Sequence, residues 1–136
     1  LSRKGFPAII AMVDKRSKYI NESLKITLEI PAGKLDSVDE DPLICAKREL
    51  SEETGYTANK YTQIHKLATT VGFSNEWIYI YLAQDLVKGK QHTDDDEFIN
   101  LVEMPLSEAV DLVNKGEIFD AKSVVAILMA EKLCKQ

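Results

Sequence analysis

Apolar side chains alternate with polar ones along several short stretches of the chain. In residues 24–30 every second position is apolar, and Lys, Thr and Glu stand between them. Such alternation, or a high content of aromatic and β-branched residues, predicts strands. The predicted strands are residues 6–13, 24–30, 64–72, 76–84 and 98–104.

Three further segments carry the start and stop signals of helices. Proline suits the first turn of a helix, glycine suits its end, and Ser or Asp caps the first free N–H groups. The predicted helices are residues 42–54, 108–115 and 121–135, and their start and stop signals are Pro42, Gly55, Ser107, Gly116 and Asp120. Strands dominate the first two-thirds and helices close the chain, which favours a mixed α/β sandwich over a regular βαβ repeat.

Composition and charge restrict the class of protein. At 136 residues, with 45% hydrophobic and 29% charged side chains, the chain is typical of one globular domain, residues 1–136. The net charge of -5 argues against general affinity for nucleic acid. No apolar run is long enough to cross a bilayer, and the first residues lack the layout of a signal peptide. Cys45 and Cys134 form no disulfide framework, so we expect a reducing, cytoplasmic setting.

Three glutamates fall on one face of the first predicted helix. Glu49 lies three residues before Glu52 and four before Glu53, which places the three carboxylates side by side. Like charges at this spacing destabilise an isolated helix by a few tenths of a kcal/mol, roughly. Taken alone, the stripe is either a solvated acidic face or a cage for Mg²⁺ or Mn²⁺, which favour oxygen ligands.

The spacing around these glutamates resembles the Nudix box. The chain has Gly33, then Glu40, then seven residues, then the run R-E-L-S-E-E-T-G-Y from Arg48 to Tyr56. The family pattern has five residues between its glycine and glutamate where this chain has six, and an aliphatic residue where this chain has Tyr56. We interpret the additional residue as a longer loop.

Other segments are similar to the ADP-ribose pyrophosphatase branch of the Nudix hydrolases. They are LEIPAGKLD (28–36), FSNE (73–76), DDDEFINL (94–101) and GEIFDAKSV (116–124). The resemblance implies an α/β/α sandwich around a mixed β-sheet, with the box as a loop–helix–loop. It also implies a homodimer formed through an N-terminal region, which we expect to be missing from this sequence because the chain starts near the first core strand.

The resemblance also implies roles for individual residues. The expected metal ligands are the Ala32 carbonyl and the side chains of Glu49, Glu52, Glu53 and Glu97. The expected catalytic residues are Asp95 as general base, with Asp94 or Asp96 as substitutes, Glu52 beside the metal, and Arg48, which orients the box carboxylates. The residues expected near substrate are Gly72, Phe73 and Glu76. Glu40 is expected to be structural.

The implied activity is Mg²⁺-dependent hydrolysis of a nucleoside diphosphate derivative, with Mn²⁺ as the alternative cation. ADP-ribose, cleaved to AMP and ribose 5-phosphate, is the leading substrate, although Val71 stands where relatives carry a proline associated with ADP-ribose preference. The alternatives are a Nudix hydrolase for another nucleotide sugar or modified nucleotide, and a sensor that binds such ligands without cleaving them. Retention of all the box carboxylates favours an enzyme. We expect Cys45 to be a buried thiol, and Trp77, Tyr79 and Tyr81 to pack rather than to stack on a base.

Overall fold

The computed structural model describes residues 9–16, 26–89 and 100–134. Its elements are β1 (Ile9–Arg16), β2 (Ile26–Glu29), α1 (Pro42–Thr54), β3 (Tyr56–Ala68), β4 (Trp77–Lys88), β5 (Asn100–Pro105), α2 (Leu106–Asn114) and α3 (Ala121–Cys134). No helix in these ranges combines the length and the apolar character needed to cross a bilayer.

The described strands form two antiparallel groups. In the first, β1 lies between β2 and β5, with Val13 opposite Glu29 and Ile10 opposite Met104. In the second, β3 and β4 form a long hairpin. A mixed sheet also needs a parallel pairing, and none occurs among the described strands.

The hairpin strands are longer than the sequence pattern indicates. The pattern predicts a strand over 64–72, whereas β3 begins at Tyr56 and ends at Ala68. Its polar first half is nevertheless a strand because it pairs with β4 from Tyr56 opposite Lys88 onward. Cross-strand hydrogen bonds therefore override the weak local preference of these polar residues.

The helix boundaries agree with the predicted signals at α1 and differ at α2. Helix α1 has the predicted bounds. The prediction that Ser107 caps α2 is wrong, because α2 begins at Leu106 after Pro105 and has no side-chain cap. Leu106 is buried, so packing rather than a hydroxyl cap sets this start. The predicted cap of α3 is confirmed, since the Ser123 backbone N–H donates to the Asp120 carboxylate at 3.2 Å.

The main apolar core lies between the two C-terminal helices and the first sheet. Its buried members are Met104, Leu106, Ala109, Val110, Ile118, Ile127 and Ala130. Leu28, in β2, and Ile30, directly after the strand, pack against this core. The chain leaves β2 from this packed position and enters the loop that precedes α1, so the core holds the start of that loop.

Candidate metal and substrate site

Helix α1 is fixed at both ends by local interactions. The Asp41 carboxylate accepts a hydrogen bond from the Leu43 N–H at 2.9 Å, and Pro42 occupies the first turn, where its missing N–H costs nothing. At the other end Gly55 adopts φ = 77° and donates its N–H to the Ser51 carbonyl at 2.9 Å. The carboxylates on α1 therefore project from a helix with defined ends.

The loop before α1 packs directly on two of these carboxylates. The Ala32 N–H donates to Glu53 Oε2 at 3.1 Å, and Glu53 is only 4% exposed. Gly33 lies against the Glu49 side chain so closely that a Cβ on Gly33 would collide with the Glu49 carboxyl group. A glycine at position 33 therefore lets the Glu49 carboxyl group lie directly against the loop backbone.

Arg48 contacts four acidic side chains of this region. We call Arg48 and its four carboxylate partners the Arg48 cluster. Its guanidinium–carboxylate distances are 2.9 Å to Glu40, 3.0 Å to Glu49, 3.4 Å to Asp36 and 3.9 Å to Glu52. The Asp36 N–H also donates to Glu40 at 2.8 Å. This bond, helped by Arg48 and opposed by partial burial, lowers the pKa of Glu40, so its carboxylate stays ionised and holds the loop to Arg48.

Electrostatics and donor chemistry fit a hard divalent cation. One guanidinium faces four carboxylates, with buried Glu53 beside them, so negative charge is in excess. Oxygen donors in an acidic environment are what Mg²⁺ and Mn²⁺ prefer. In residues 9–16, 26–89 and 100–134, however, no three His, Cys, Asp or Glu side chains are grouped closely enough to form a complete metal site. The contacts of Glu49 with Arg48 and of Glu53 with Ala32 account for the orientation of these two side chains.

A cleft of about 670 Å³ opens beside the loop and α1. Its walls include the loop backbone, the β3–β4 hairpin and the start of α3. Ala32, Gly33, Glu49 and Glu76 all line it. The fold thus brings residues from three separate sequence motifs to one cavity of the size that typically holds a small ligand.

The predicted residues are not all in the cleft. Glu52 projects into solvent, with 47% of its side chain exposed, while Glu53 is buried under the loop. Gly72 and Phe73 occupy the turn between β3 and β4, and Phe73 is 88% exposed and does not line the cavity. Glu76 follows this turn and accepts a hydrogen bond from the Thr69 hydroxyl at 3.0 Å.

The predicted general base lies outside the described residues. Asp95, its substitutes Asp94 and Asp96, and the predicted ligand Glu97 belong to the segment 90–99. Their roles stay predictions.

Two residues of the cleft wall were missed by sequence reasoning. Asp120 and Lys122 line the cleft, and the Lys122 ammonium lies 2.9 Å from Asp120 and 2.7 Å from Glu29. Burial opposes both charges, but hydrogen bonds from Ser123 and Lys122 lower the pKa of Asp120. Bonds to Glu29 and Asp120 likewise raise the pKa of Lys122 despite its burial. Two sequence signals fell on this segment, the resemblance of GEIFDAKSV to the family and the predicted helix cap at Asp120, but neither placed Asp120 and Lys122 in a cleft wall.

The structure also tests the expectations for aromatic and thiol side chains. Cys45 is buried as expected, and burial raises the pKa of its thiol. Trp77 and Tyr79 are less buried than the expected packing implies, with 55% and 37% of their surface exposed. The Lys66 ammonium lies over both rings, 4.8 and 5.2 Å from their centroids. The alternation along β4 therefore predicted that Trp77 and Tyr79 share one face of the strand, but it did not predict that this face is exposed.

Comparison with known proteins agrees with the resemblance seen in the sequence. The NUDIX domain model matches residues 8–126. An ADP-ribose pyrophosphatase of Bacillus subtilis is 41% identical over 130 residues, covering 90% of this chain and 70% of that protein. A methanol dehydrogenase activator of Bacillus methanolicus is 40% identical over 120 residues, covering 87% and 63%. A GDP-mannose pyrophosphatase of Cronobacter sakazakii is 37% identical over 103 residues, covering 74% and 53%.

A solved structure supports the same fold. The crystal structure of an ADP compounds hydrolase matches with a TM-score of 0.76 and 24% identity, covering 92% of this chain and 65% of that one. The predicted α/β class with the box as loop–helix–loop is thereby confirmed. The chain spans between about half and 70% of the length of these relatives.

Proposed function

Because the chain belongs to the NUDIX family, we propose that it hydrolyses the diphosphate linkage of a nucleoside diphosphate derivative, with ADP-ribose as the substrate. One observation carries this proposal. Two box carboxylates, Glu49 and Glu53, pack against the backbone of Ala32 and Gly33 at the edge of a cleft of ligand size. The similarity to ADP-ribose pyrophosphatases supports the choice of substrate.

The box residues would hold divalent cations. We assign this role to the Ala32 carbonyl and to Glu49, Glu52, Glu53 and Glu97. Bound Mg²⁺, or Mn²⁺ in its place, neutralises phosphate charge and makes a water more acidic. The Arg48 cluster supports this assignment, because one guanidinium offsets only part of the local negative charge.

The reaction needs a base and an oriented diphosphate. A water oxygen attacks one phosphorus, the bridging P–O bond breaks, and the proton of the water passes to a carboxylate, which we assign to Asp95. With ADP-ribose the products are AMP and ribose 5-phosphate. Arg48 contributes by holding Glu49 and Glu52 in place.

We assign substrate contacts to Glu76, Gly72 and Phe73. Glu76 lines the same cleft as Glu49, which favours a role beside the bound diphosphate. Gly72 and Phe73 are exposed in the adjacent turn, so they would contact substrate groups that extend beyond the cleft.

Two finer properties are part of the proposal. The free thiols of Cys45 and Cys134 favour a reducing compartment, which we take to be the cytoplasm. The exposed aromatic side chains of Phe73 and Trp77 favour a homodimer that would cover some of this surface.

A second candidate substrate is a nucleotide sugar such as GDP-mannose. It is favoured by the similarity to GDP-mannose pyrophosphatases and by Val71, which stands where ADP-ribose-specific relatives carry a proline. A non-catalytic sensor is disfavoured because Arg48, Glu49, Glu52 and Glu53 are all retained.

The test is a coupled assay with purified protein. ADP-ribose and GDP-mannose are each incubated with Mg²⁺, Mn²⁺ or EDTA, the protein is removed by filtration and Mg²⁺ and Zn²⁺ are added in excess of the EDTA, and alkaline phosphatase then releases inorganic phosphate from any monophosphate product. We expect phosphate from ADP-ribose with a divalent cation and none with EDTA. Faster phosphate release from GDP-mannose would identify GDP-mannose, rather than ADP-ribose, as the substrate. Ligand binding without phosphate release from either compound would identify a sensor.

A further inference from the structure

A buried hydrogen-bond network connects the start of α3 to the strand that leads into the box loop. Ser123 is 0% exposed, and its hydroxyl accepts a hydrogen bond from the Ile30 N–H at 3.0 Å. The same hydroxyl donates to the Asp120 carboxylate at 2.6 Å. Both the donor and the acceptor capacity of this hydroxyl are therefore used.

A charged pair reinforces the connection one residue earlier. The Lys122 ammonium donates to Glu29 at 2.7 Å and to Asp120 at 2.9 Å. Glu29 ends β2 and Ile30 follows it. Two successive residues of the chain are thus attached to α3, 93 positions away in sequence.

The attached segment continues directly into the box loop. Ala32, two residues after Ile30, donates its N–H to Glu53, and Gly33 lies against Glu49. Residues 30–33 are therefore held from α3 on one side and by the carboxylates of α1 on the other. A metal site loses affinity when the groups that orient its ligands are removed.

We propose that Ser123 and Lys122 are positioning residues for the cation site. They fix the backbone of residues 30–33, so that the Ala32 carbonyl and the carboxylates of Glu49 and Glu53 keep their mutual geometry. This inference rests on the proposed function, because it assumes that these oxygens bind a divalent cation.

The experiment measures Mn²⁺ binding to the full chain by calorimetric titration, without substrate. The variants are Ser123→Ala and Lys122→Met, with Lys122→Arg as the conservative replacement. Val110→Ala is the stability control, since Val110 is buried in the helical core and lies outside the network. Thermal unfolding, hydrogen exchange of the Ile30 amide, and kcat and KM complete the measurements.

We expect Ser123→Ala and Lys122→Met to weaken Mn²⁺ binding about tenfold, the lower range for loss of a supporting group. The Ile30 amide should exchange faster in Ser123→Ala, and Lys122→Arg should restore most of the affinity. Val110→Ala should lower the unfolding temperature and leave Mn²⁺ affinity unchanged. If Ser123→Ala does not fold, the comparison of Lys122→Met with Lys122→Arg tests the proposal alone.

Wild-type affinity for Mn²⁺ in folded Ser123→Ala and Lys122→Met would overturn the inference and leave the proposed function intact. An equal loss of affinity in Val110→Ala would also overturn it, because general destabilisation would then explain the effect. A wild-type chain that neither binds Mn²⁺ nor hydrolyses a diphosphate would contradict the proposed function itself, and the inference with it.

Discussion

In two regions of this molecule several carboxylates surround one positively charged side chain. The two regions differ in how far that side chain balances the negative charge. In the Arg48 cluster, one guanidinium has four carboxylate partners: Asp36, Glu40, Glu49 and Glu52. At the start of α3, the Lys122 ammonium has two, Glu29 and Asp120. Counting only these direct partners, three negative charges are in excess in the first region and one in the second.

The two regions also differ in the hydrogen bonds that their carboxylates accept. Around Lys122, neutral donors satisfy the carboxylates, since Ser123 donates twice to Asp120 and Thr27 donates to Glu29. Around Arg48, a backbone N–H also donates to Glu40, but the Glu52 side chain is 47% exposed to solvent and Glu49 lines the cleft. The carboxylates of the Lys122 region are therefore satisfied largely by donors of the protein, which suits this region to fixing structure, whereas the larger negative excess of the Arg48 region suits it to an added cation.

The largest expected effect is that of Glu53→Gln. The amide oxygen of Gln still accepts the Ala32 N–H, so the fold should persist, but the negative charge of the proposed metal ligand is lost. We expect kcat for ADP-ribose to fall at least about a hundredfold, since loss of a supporting group alone costs about 10- to 100-fold. Steady-state kinetics checks this, with the exposed helical variant Glu108→Gln as a charge-matched control. Wild-type turnover in Glu53→Gln would refute its role as a ligand.

The next effect is that of Gly33→Ala. The new Cβ would displace the Glu49 carboxyl, which is the mobile end of a side chain, so the fold should tolerate the change while the Glu49 oxygens move. We expect kcat to fall about tenfold, as for loss of a supporting group. Ser37→Ala, on the exposed part of the same loop, should keep wild-type kinetics. Unchanged turnover in Gly33→Ala would mean that the position of Glu49 is not critical.

Arg48→Lys should have a smaller effect on the same cluster. Lysine keeps the positive charge, but it cannot present the planar fork with which Arg48 contacts Glu40 and Glu49 together. We expect the Mg²⁺ concentration for half-maximal rate to rise severalfold and unfolding free energy to fall by less than about 1 kcal/mol. Rate measurements across a Mg²⁺ series, with exposed Lys115→Arg as control, would show this. An unchanged Mg²⁺ requirement would show that a positive charge at position 48 is enough to hold Glu40 and Glu49, without the planar guanidinium.

The smallest effect on turnover is expected for Asp120→Asn. This variant tests how the ion pair of Asp120 with Lys122 contributes to stability at different pH values. The folded state lowers the pKa of Asp120, so its ion pair stabilises the protein above about pH 4, the unfolded value, and is lost as pH falls through the lower folded value. At pH 7 we expect Asp120→Asn to lose about 1 to 2 kcal/mol of unfolding free energy, because the acceptor of three hydrogen bonds loses its charge. Urea denaturation at pH 7 and pH 3 measures it. The difference in unfolding free energy between variant and wild type should be smaller at pH 3 than at pH 7. A larger difference at pH 3 would mean that folding does not lower the pKa of Asp120.

Sequence reasoning succeeded where structure is set by neighbouring residues. Pro42 and Gly55 gave both ends of α1 because helix termination depends on local backbone conformation. It failed for the early start of β3, whose polar residues are a strand only because β4 pairs with them. It also failed at Ser107, where burial of Leu106 determined the start of α2.

The acidic face of α1 could be predicted from residue spacing alone, because the separations of Glu49, Glu52 and Glu53 place the three on one side of a helix. The backbone that these carboxylates contact follows instead from how the elements pack. The contacts of Gly33 with Glu49, and of Ser123 with Ile30, join residues distant in sequence. Such contacts depend on how separate elements pack, and no local pattern along the chain encodes them.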